Sequence, residues 1–134
     1  MCIRDSNNGR DIAGVGWNTQ FVPVRVSGKC GALLSDTVDG MLWAGGLAVA
    51  GAPTNNHPAR IVNVSLGSTG QCSAAEQDAV NQLAARGTIV VAAAGNEAAQ
   101  SVDAPANCTG VILSLIHISE PTRQLASSRM PSSA

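Results

Sequence analysis

Hydrophobic and polar positions change period several times along the chain. Phe21 to Val26 reads FVPVRV, an alternating run that predicts a β-strand ending at Ser27-Gly28. Pro23 within it is compatible with a strand start or an edge. Val38, Met41, Leu42 and Gly45 then recur at helical spacing, which predicts a helix over residues 36–45. Ser35 is its expected N-cap, Asp36 lies in its first turn, and Gly45-Gly46 ends it. The polar stretch Gly51 to Ala59, GAPTNNHPA, predicts a loop. Arg60 to Leu66, RIVNVSL, predicts a second strand, and Gly67 to Gly70 a turn. Ser73 with Glu76 three positions later forms a capping-box signature, so a helix follows and stops at Gly87. Thr88 to Ala93, TIVVAA, is an almost continuous apolar run and predicts a strand buried on both faces. Val111 to Leu113 begins a fourth strand.

This alternation predicts an α/β fold: a parallel sheet with flanking helices, joined by right-handed crossovers. Ligands in such sheets bind beyond the carboxyl ends of the strands. Gly28–Gly31, Ser65–Gly67 and Gly95-Asn96 are therefore the functional candidates. No GxGxxG or GxxxxGK[ST] follows any strand, which argues against a nucleotide-binding domain.

The two ends break the pattern. Leu115 to Arg123, LIHISEPTR, resembles a translated sequencing adaptor, and Met1 to Ser6, MCIRDS, looks alike in kind. On this reading residues 7–113 form part of one domain, and residues 1–6 and 114–134 are non-native tails. His117 lies in the second tail and receives no catalytic role. Met1 to Ser6 has no apolar core of a signal peptide. No apolar run approaches the roughly 20 residues needed to span a bilayer.

Composition narrows the partners. Eight basic and nine acidic residues leave a net charge of −1, and aromatic residues make up only 2%. Basic grooves and stacking platforms are both missing, so nucleic acid is not an expected partner, and neither is a membrane. Four cysteines are present, none in a CxxC or a Cys/His cluster, so no metal site is assigned. Setting Cys2 aside with the first tail, Cys30 and Cys72 can pair and leave Cys108 over, or all three are free, buried thiols.

Three segments carry a family resemblance. GVGWN at 14–18 with VPVRV at 22–26, NVSLG at 63–67, and VVAAAGNE at 90–97 follow one another with a helix between successive segments. Together they resemble the subtilisin-like (S8) serine proteases, extracellular proteobacterial type, over residues 7–112. The resemblance implies a secreted serine endopeptidase acting by Ser–His–Asp acyl transfer on an extended polypeptide. It implies that Asn96 donates its side-chain amide to the oxyanion, with Gly95 allowing close backbone approach. Ser65, Leu66 and Gly67 would form one edge of the substrate groove, and Gly31 with its neighbours Lys29, Cys30 and Ala32 the other.

The family places its acid in D-[ST]-G, its base in H-G-T-H and its nucleophile in G-T-S-[MA]. None of these motifs occurs here, so the chain is read as an internal piece, inactive alone. Asp11 is read as a surface residue and Ser65 is not a nucleophile candidate. The loop Leu47–Ala59 and the paired-looking Cys30 and Cys72 strengthen the proteobacterial resemblance. A Cys30–Cys72 disulfide is expected to brace the substrate rim, with Cys108 paired to a cysteine further downstream. Many subtilases bind calcium, so the longer protein could hold it, but no acidic loop in this chain is assigned to it. The longer protein is expected to be a monomer. The rival reading is a non-catalytic α/β peptide-binding domain, a pseudoprotease.

Overall fold

A computed structural model describes residues 16, 19–95 and 102–114. In chain order it contains β1 (Ser27–Gly28), β2 (Gly31–Ala32), α1 (Leu34–Ala44), β3 (Ile61–Val64), α2 (Ala74–Ala85), β4 (Ile89–Ala93) and β5 (Ile112–Ser114). Strands β3, β4 and β5 form a parallel sheet in that order, with Ile61 opposite Ile89 and Val91 opposite Ile112. Helix α2 is the crossover between β3 and β4, as expected of a parallel pair. The α/β architecture with a parallel sheet is thus the one the sequence pattern predicts.

Helix α2 forms for the reasons its sequence gives. Ser73 Oγ accepts from the Glu76 backbone N–H at 3.2 Å, and the Ser73 N–H donates to Glu76 Oε2 at 2.8 Å. Two amide groups that the first helical turn cannot satisfy are met by this exchange. The helix ends at Gly87, whose φ of 76° suits glycine. Helix α1 begins two residues before the expected start. Leu33 is its N-cap, and its carbonyl accepts from both the backbone N–H and the hydroxyl of Thr37, at 3.0 Å each. Ser35 therefore lies inside the first turn and does not cap it. Asn55 closes the other end by donating to the carbonyls of Trp43 and Ala44 at 2.9 and 3.1 Å. These bonds tie the loop after α1 back onto the helix, adding to the backbone N–H groups of Gly46 and Ala59 that donate to the same two carbonyls.

Both helices pack on one face of the sheet. Met41 and Ala44 of α1 and Val80 and Leu83 of α2 share a core with Val62, Val64, Val90 and Ala92. Gly45 permits the close approach of the helices, since a side chain there would run into Leu83. The other face carries no helix among the described residues. Ile61, Ile89 and Ile112 are 60%, 46% and 53% exposed; Ile61 and Ile89 are opposite each other, and Ile112 lies opposite Val91, two residues further along β4 on the same face. The expectation that the 88–93 run is buried on both faces is therefore corrected: Val90 and Ala92 are buried, while Ile89 is exposed. The apolar run is real, but the described residues supply a helical layer for one side only.

A second correction concerns Phe21 to Val26. The segment is not a strand, because no neighbouring backbone pairs with it among the described residues. Its alternation is still used for packing, as Val24 and Val26 lie against Gly40 of α1. The regular pairing starts only at Ser27–Gly28, in an antiparallel hairpin with Gly31–Ala32.

The uncovered isoleucines generate a prediction. Expressed alone, the chain should self-associate or stay partly unfolded, because an apolar sheet face and open strand edges are both exposed. Replacing Ile61, Ile89 and Ile112 together by threonine keeps β-branched residues in the strands. Gel filtration should then show a larger monomer fraction than for the unmodified chain. A monomeric unmodified chain with a sharp, cooperative thermal transition would contradict this reading.

Candidate functional site

The carboxyl ends of β3 and β4 lie side by side, and three segments meet there. Ser65-Leu66-Gly67 continues from β3. Gly95 follows β4 by two residues and has a φ of 99°, a left-handed conformation that glycine adopts without strain. The third segment is residues 102–110, absent from the sequence-based candidates. It pairs with the first through Ser68 and Ala104, whose backbones exchange two hydrogen bonds of 3.0 Å each. The Asp103 N–H reaches the Ala94 carbonyl at 3.3 Å, so the chain leaves at Ala94 and returns beside it at Asp103. Asn96, the expected oxyanion donor, belongs to the stretch between and lies outside the described residues.

Side chains fasten the 102–110 segment to α2. The Gln77 amide donates from Nε2 to the Thr109 carbonyl at 3.0 Å and accepts from the Thr109 N–H at 2.9 Å. Asn107 Nδ2 donates to the carbonyls of Gly70 and Val102 at 2.8 and 2.9 Å. A disulfide joins Cys72 to Cys108, with their Cα atoms 5.1 Å apart. These bonds come from the consecutive residues Asn107, Cys108 and Thr109 and fix the later part of the segment, while the Ser68–Ala104 pair holds its start.

The disulfide corrects the expected pairing. Cys72 does not bond to Cys30, and Cys108 needs no partner further downstream. Cys30 is exposed and free at the tip of the β1–β2 hairpin. The expectation treated Cys30 and Cys72 as following two strands of one sheet. The hairpin is instead a separate antiparallel pair, outside the β3–β4–β5 sheet. Cys108 reaches Cys72 because the Ser68–Ala104 pairing brings its turn to the start of α2.

A cavity of about 250 Å³ opens between these parts. Ser27 and Ala32 of the hairpin stand on one side, and Leu66, Gly67 and Ser68 on the other. Leu34 and Thr37 of α1, Glu76 of α2, and Ala104-Pro105 complete the lining. Of the expected substrate-binding residues, Leu66 and Gly67 line this cavity, and Gly31 is the neighbour of its lining residue Ala32. Ser65 is exposed just beyond β3, and its Oγ accepts from Asn63 Nδ2 at 2.8 Å. Gly67 serves packing too: a Cβ there would lie 3.0 Å from the Ala104 carbonyl oxygen. Glu76, Thr37, Ala104 and Pro105 were missed as site residues. Glu76 was legible only as a helix cap, and nothing in the local pattern places the 104–105 turn beside β3.

The fit to a metal can be tested on side chains. Cys72, Glu76 and Cys108 form the cluster of potential ligands found among the described residues. Both sulfurs are spent in the disulfide, which leaves one carboxylate. Calcium takes six to eight oxygens, so this cluster does not fit it.

Comparison with known proteins places this arrangement. The Subtilase family model (Peptidase S8) matches residues 2–133, and the chain belongs to that family. The chain is 49% identical to an extracellular protease of Xanthomonas campestris pv. campestris, over 80% of this chain and 19% of that protein. It is 42% identical to an extracellular basic protease of Dichelobacter nodosus, over 80% of this chain and 18% of that protein. A solved structure described as proteases from Pseudoalteromonas arctica superposes with a TM-score of 0.75 at 50% identity, covering 80% of this chain and 32% of that one. The chain thus spans about a fifth of the length of the curated relatives it matches.

The crosslink can be tested without activity. Peptide mapping under non-reducing conditions should recover Cys72 joined to Cys108 and Cys30 as a free thiol. In the chain-entropy account a bridge over 36 residues is worth about 4 kcal/mol. Cys108→Ser should therefore cost about 2–4 kcal/mol in denaturant unfolding of the longer protein, and Cys30→Ser less than about 0.5. Equal losses for the two variants would contradict the pairing.

Proposed function

We propose that this chain is the substrate-binding and oxyanion-hole part of a secreted serine endopeptidase. The observation that carries the reading is the cavity at the carboxyl end of the sheet, with the β1–β2 hairpin on one side and Leu66-Gly67 on the other. Both walls carry exposed residues, Gly31 and Ala32 on one and Ser65 and Gly67 on the other. An extended polypeptide can pair with such edges, so that main-chain bonds give affinity and the cavity takes a side chain. Membership of the subtilase family supplies the chemistry: a serine attacks the peptide carbonyl, a histidine takes its proton, and an aspartate holds the histidine. Those three residues would come from chain beyond the motifs present here, so the 134 residues alone are expected to hydrolyse no peptide.

Within this scheme Asn96 donates its amide to the tetrahedral oxyanion. Gly95 supports the role, because its left-handed backbone, two residues after β4, has left the extended strand conformation. A neutral donor there stabilises charge that exists only near the transition state. The substrate is a polypeptide. Secretion is supported by the extracellular relatives and by a disulfide, which persists in an oxidising compartment. No helix among the described residues is long and apolar enough to cross a membrane. Neither nucleic acid nor a membrane is proposed as a partner, and the longer protein is proposed to act as a monomer. The tails at 1–6 and 114–134 are proposed to be foreign to it, leaving residues 7–113 as the peptidase part.

The test is Asn96→Ala in the longer protease. Turnover should fall about 10²–10³-fold, the scale known from a subtilisin's own oxyanion-hole asparagine, with little change in KM. Unchanged turnover would overturn the oxyanion role. A reading frame lacking the histidine and serine motifs on either side would instead favour the pseudoprotease.

A further inference from the structure

The cavity has a chemical asymmetry that its family membership does not explain. Its mouth is made of exposed residues, Ser27, Ala32, Leu34, Gly67 and Ser68. Its floor is made of the buried Thr37, Glu76, Ala104 and Pro105. Glu76 is the sole ionisable side chain of the lining and is only 3% exposed. Buried carboxylates are costly unless paired. Ser73 answers part of the cost, and both of its bonds fall on one oxygen: its N–H and its hydroxyl reach Oε2 at 2.8 and 2.7 Å. Oε1 makes no hydrogen bond among the described residues, and no lysine or arginine pairs with the carboxylate there. Thr37 offers no competing donor, because its hydroxyl is committed to the Leu33 carbonyl.

We propose that Glu76 is a specificity-determining residue, and that this subsite takes a lysine or arginine side chain of the bound polypeptide. The inference rests on the protease reading above. The form of the cavity suits such a side chain twice over. Leu34, Leu66, Ala104 and Pro105 give an apolar passage for the aliphatic stem. Glu76 Oε1 then accepts from the charged head in a charge-assisted bond, while Oε2 stays held by Ser73. The carboxylate is already fixed, so little rotamer freedom is lost on binding. The volume of about 250 Å³ leaves room for a long side chain, since one water takes about 30 Å³. An apolar side chain in this subsite would leave the acid unpaired, which is the repulsive half of the discrimination.

The experiment uses the longer protease and peptide libraries varied at one position at a time. At one position kcat/KM should favour arginine over its neutral isostere citrulline, and lysine over norleucine, by roughly 10–100-fold, the range for a hydrogen bond to a charged group. Glu76→Gln keeps an acceptor for the Ser73 N–H and removes the charge; the preference at that position should shrink to about three-fold or less, with the profile at other positions unchanged. Thermal unfolding of the variant shows whether the cap survives, and the arginine–citrulline comparison stands on the unmodified enzyme alone. Cleavage with no basic preference at any position, or a preference that Glu76→Gln leaves intact, overturns the role of Glu76. Cleavage of no peptide at all overturns the protease reading, and the inference with it.

Discussion

The disulfide between Cys72 and Cys108 joins the start of α2 to the turn before β5, 36 residues along the chain. Residues 102–110 have no regular structure of their own to fix them. They are placed by that bond, by the Ser68–Ala104 backbone pair and by the Gln77–Thr109 exchange. Once they are placed, Ala104 and Pro105 close the floor of the cavity, and Asp103 returns the chain to Ala94 at the end of β4. Ala94 and Asp103 are thereby held together at the same joint. Gly67 completes the fit, because any side chain there would press on the Ala104 carbonyl. The wall proposed to hold substrate and the strand end that leads to the proposed oxyanion donor are therefore not independent. Both are hung from one crosslinked corner of the fold.

The second organising fact is the bare face of the sheet. Two helices cover Val62, Val64, Val90 and Ala92, and none of the described residues covers Ile61, Ile89 and Ile112. A parallel sheet is ordinarily covered on both faces. The exposed isoleucines fit a chain that spans about a fifth of its relatives' length. They also separate two kinds of evidence. The covered face and the crosslinked corner are built by described residues, whereas the proposed acyl-transfer chemistry rests on family membership.

Much of the fold was legible in the sequence because its signals are local. The Ser73–Glu76 box, the stop at Gly87 and the apolar runs at 61–64 and 89–93 each depend on neighbours a few positions away. The parallel order follows from the helix between the strands. What failed were inferences about pairing. The alternation of residues 21–26 is genuine, but a strand needs a partner, and periodicity says nothing about whether one is present. The cysteine assignment failed likewise: Cys30 sits on a hairpin apart from the main sheet, and only the tertiary position of the 102–110 turn reveals Cys108 as the partner of Cys72. Leu66 and Gly67 could be found from motif and strand end together. Glu76 could not, because a capping glutamate and a cavity-floor carboxylate are written with the same letter.

An extended polypeptide is proposed to run between the β2 edge and the end of β3. Hydrogen exchange on the longer protease, with and without a saturating peptide aldehyde, tests it most directly. The amides of Gly31–Ala32 and Ser65–Gly67 should slow at least about ten-fold together when the peptide is bound, as new main-chain bonds form on both edges. Protection elsewhere, with these five amides unchanged, would contradict the account.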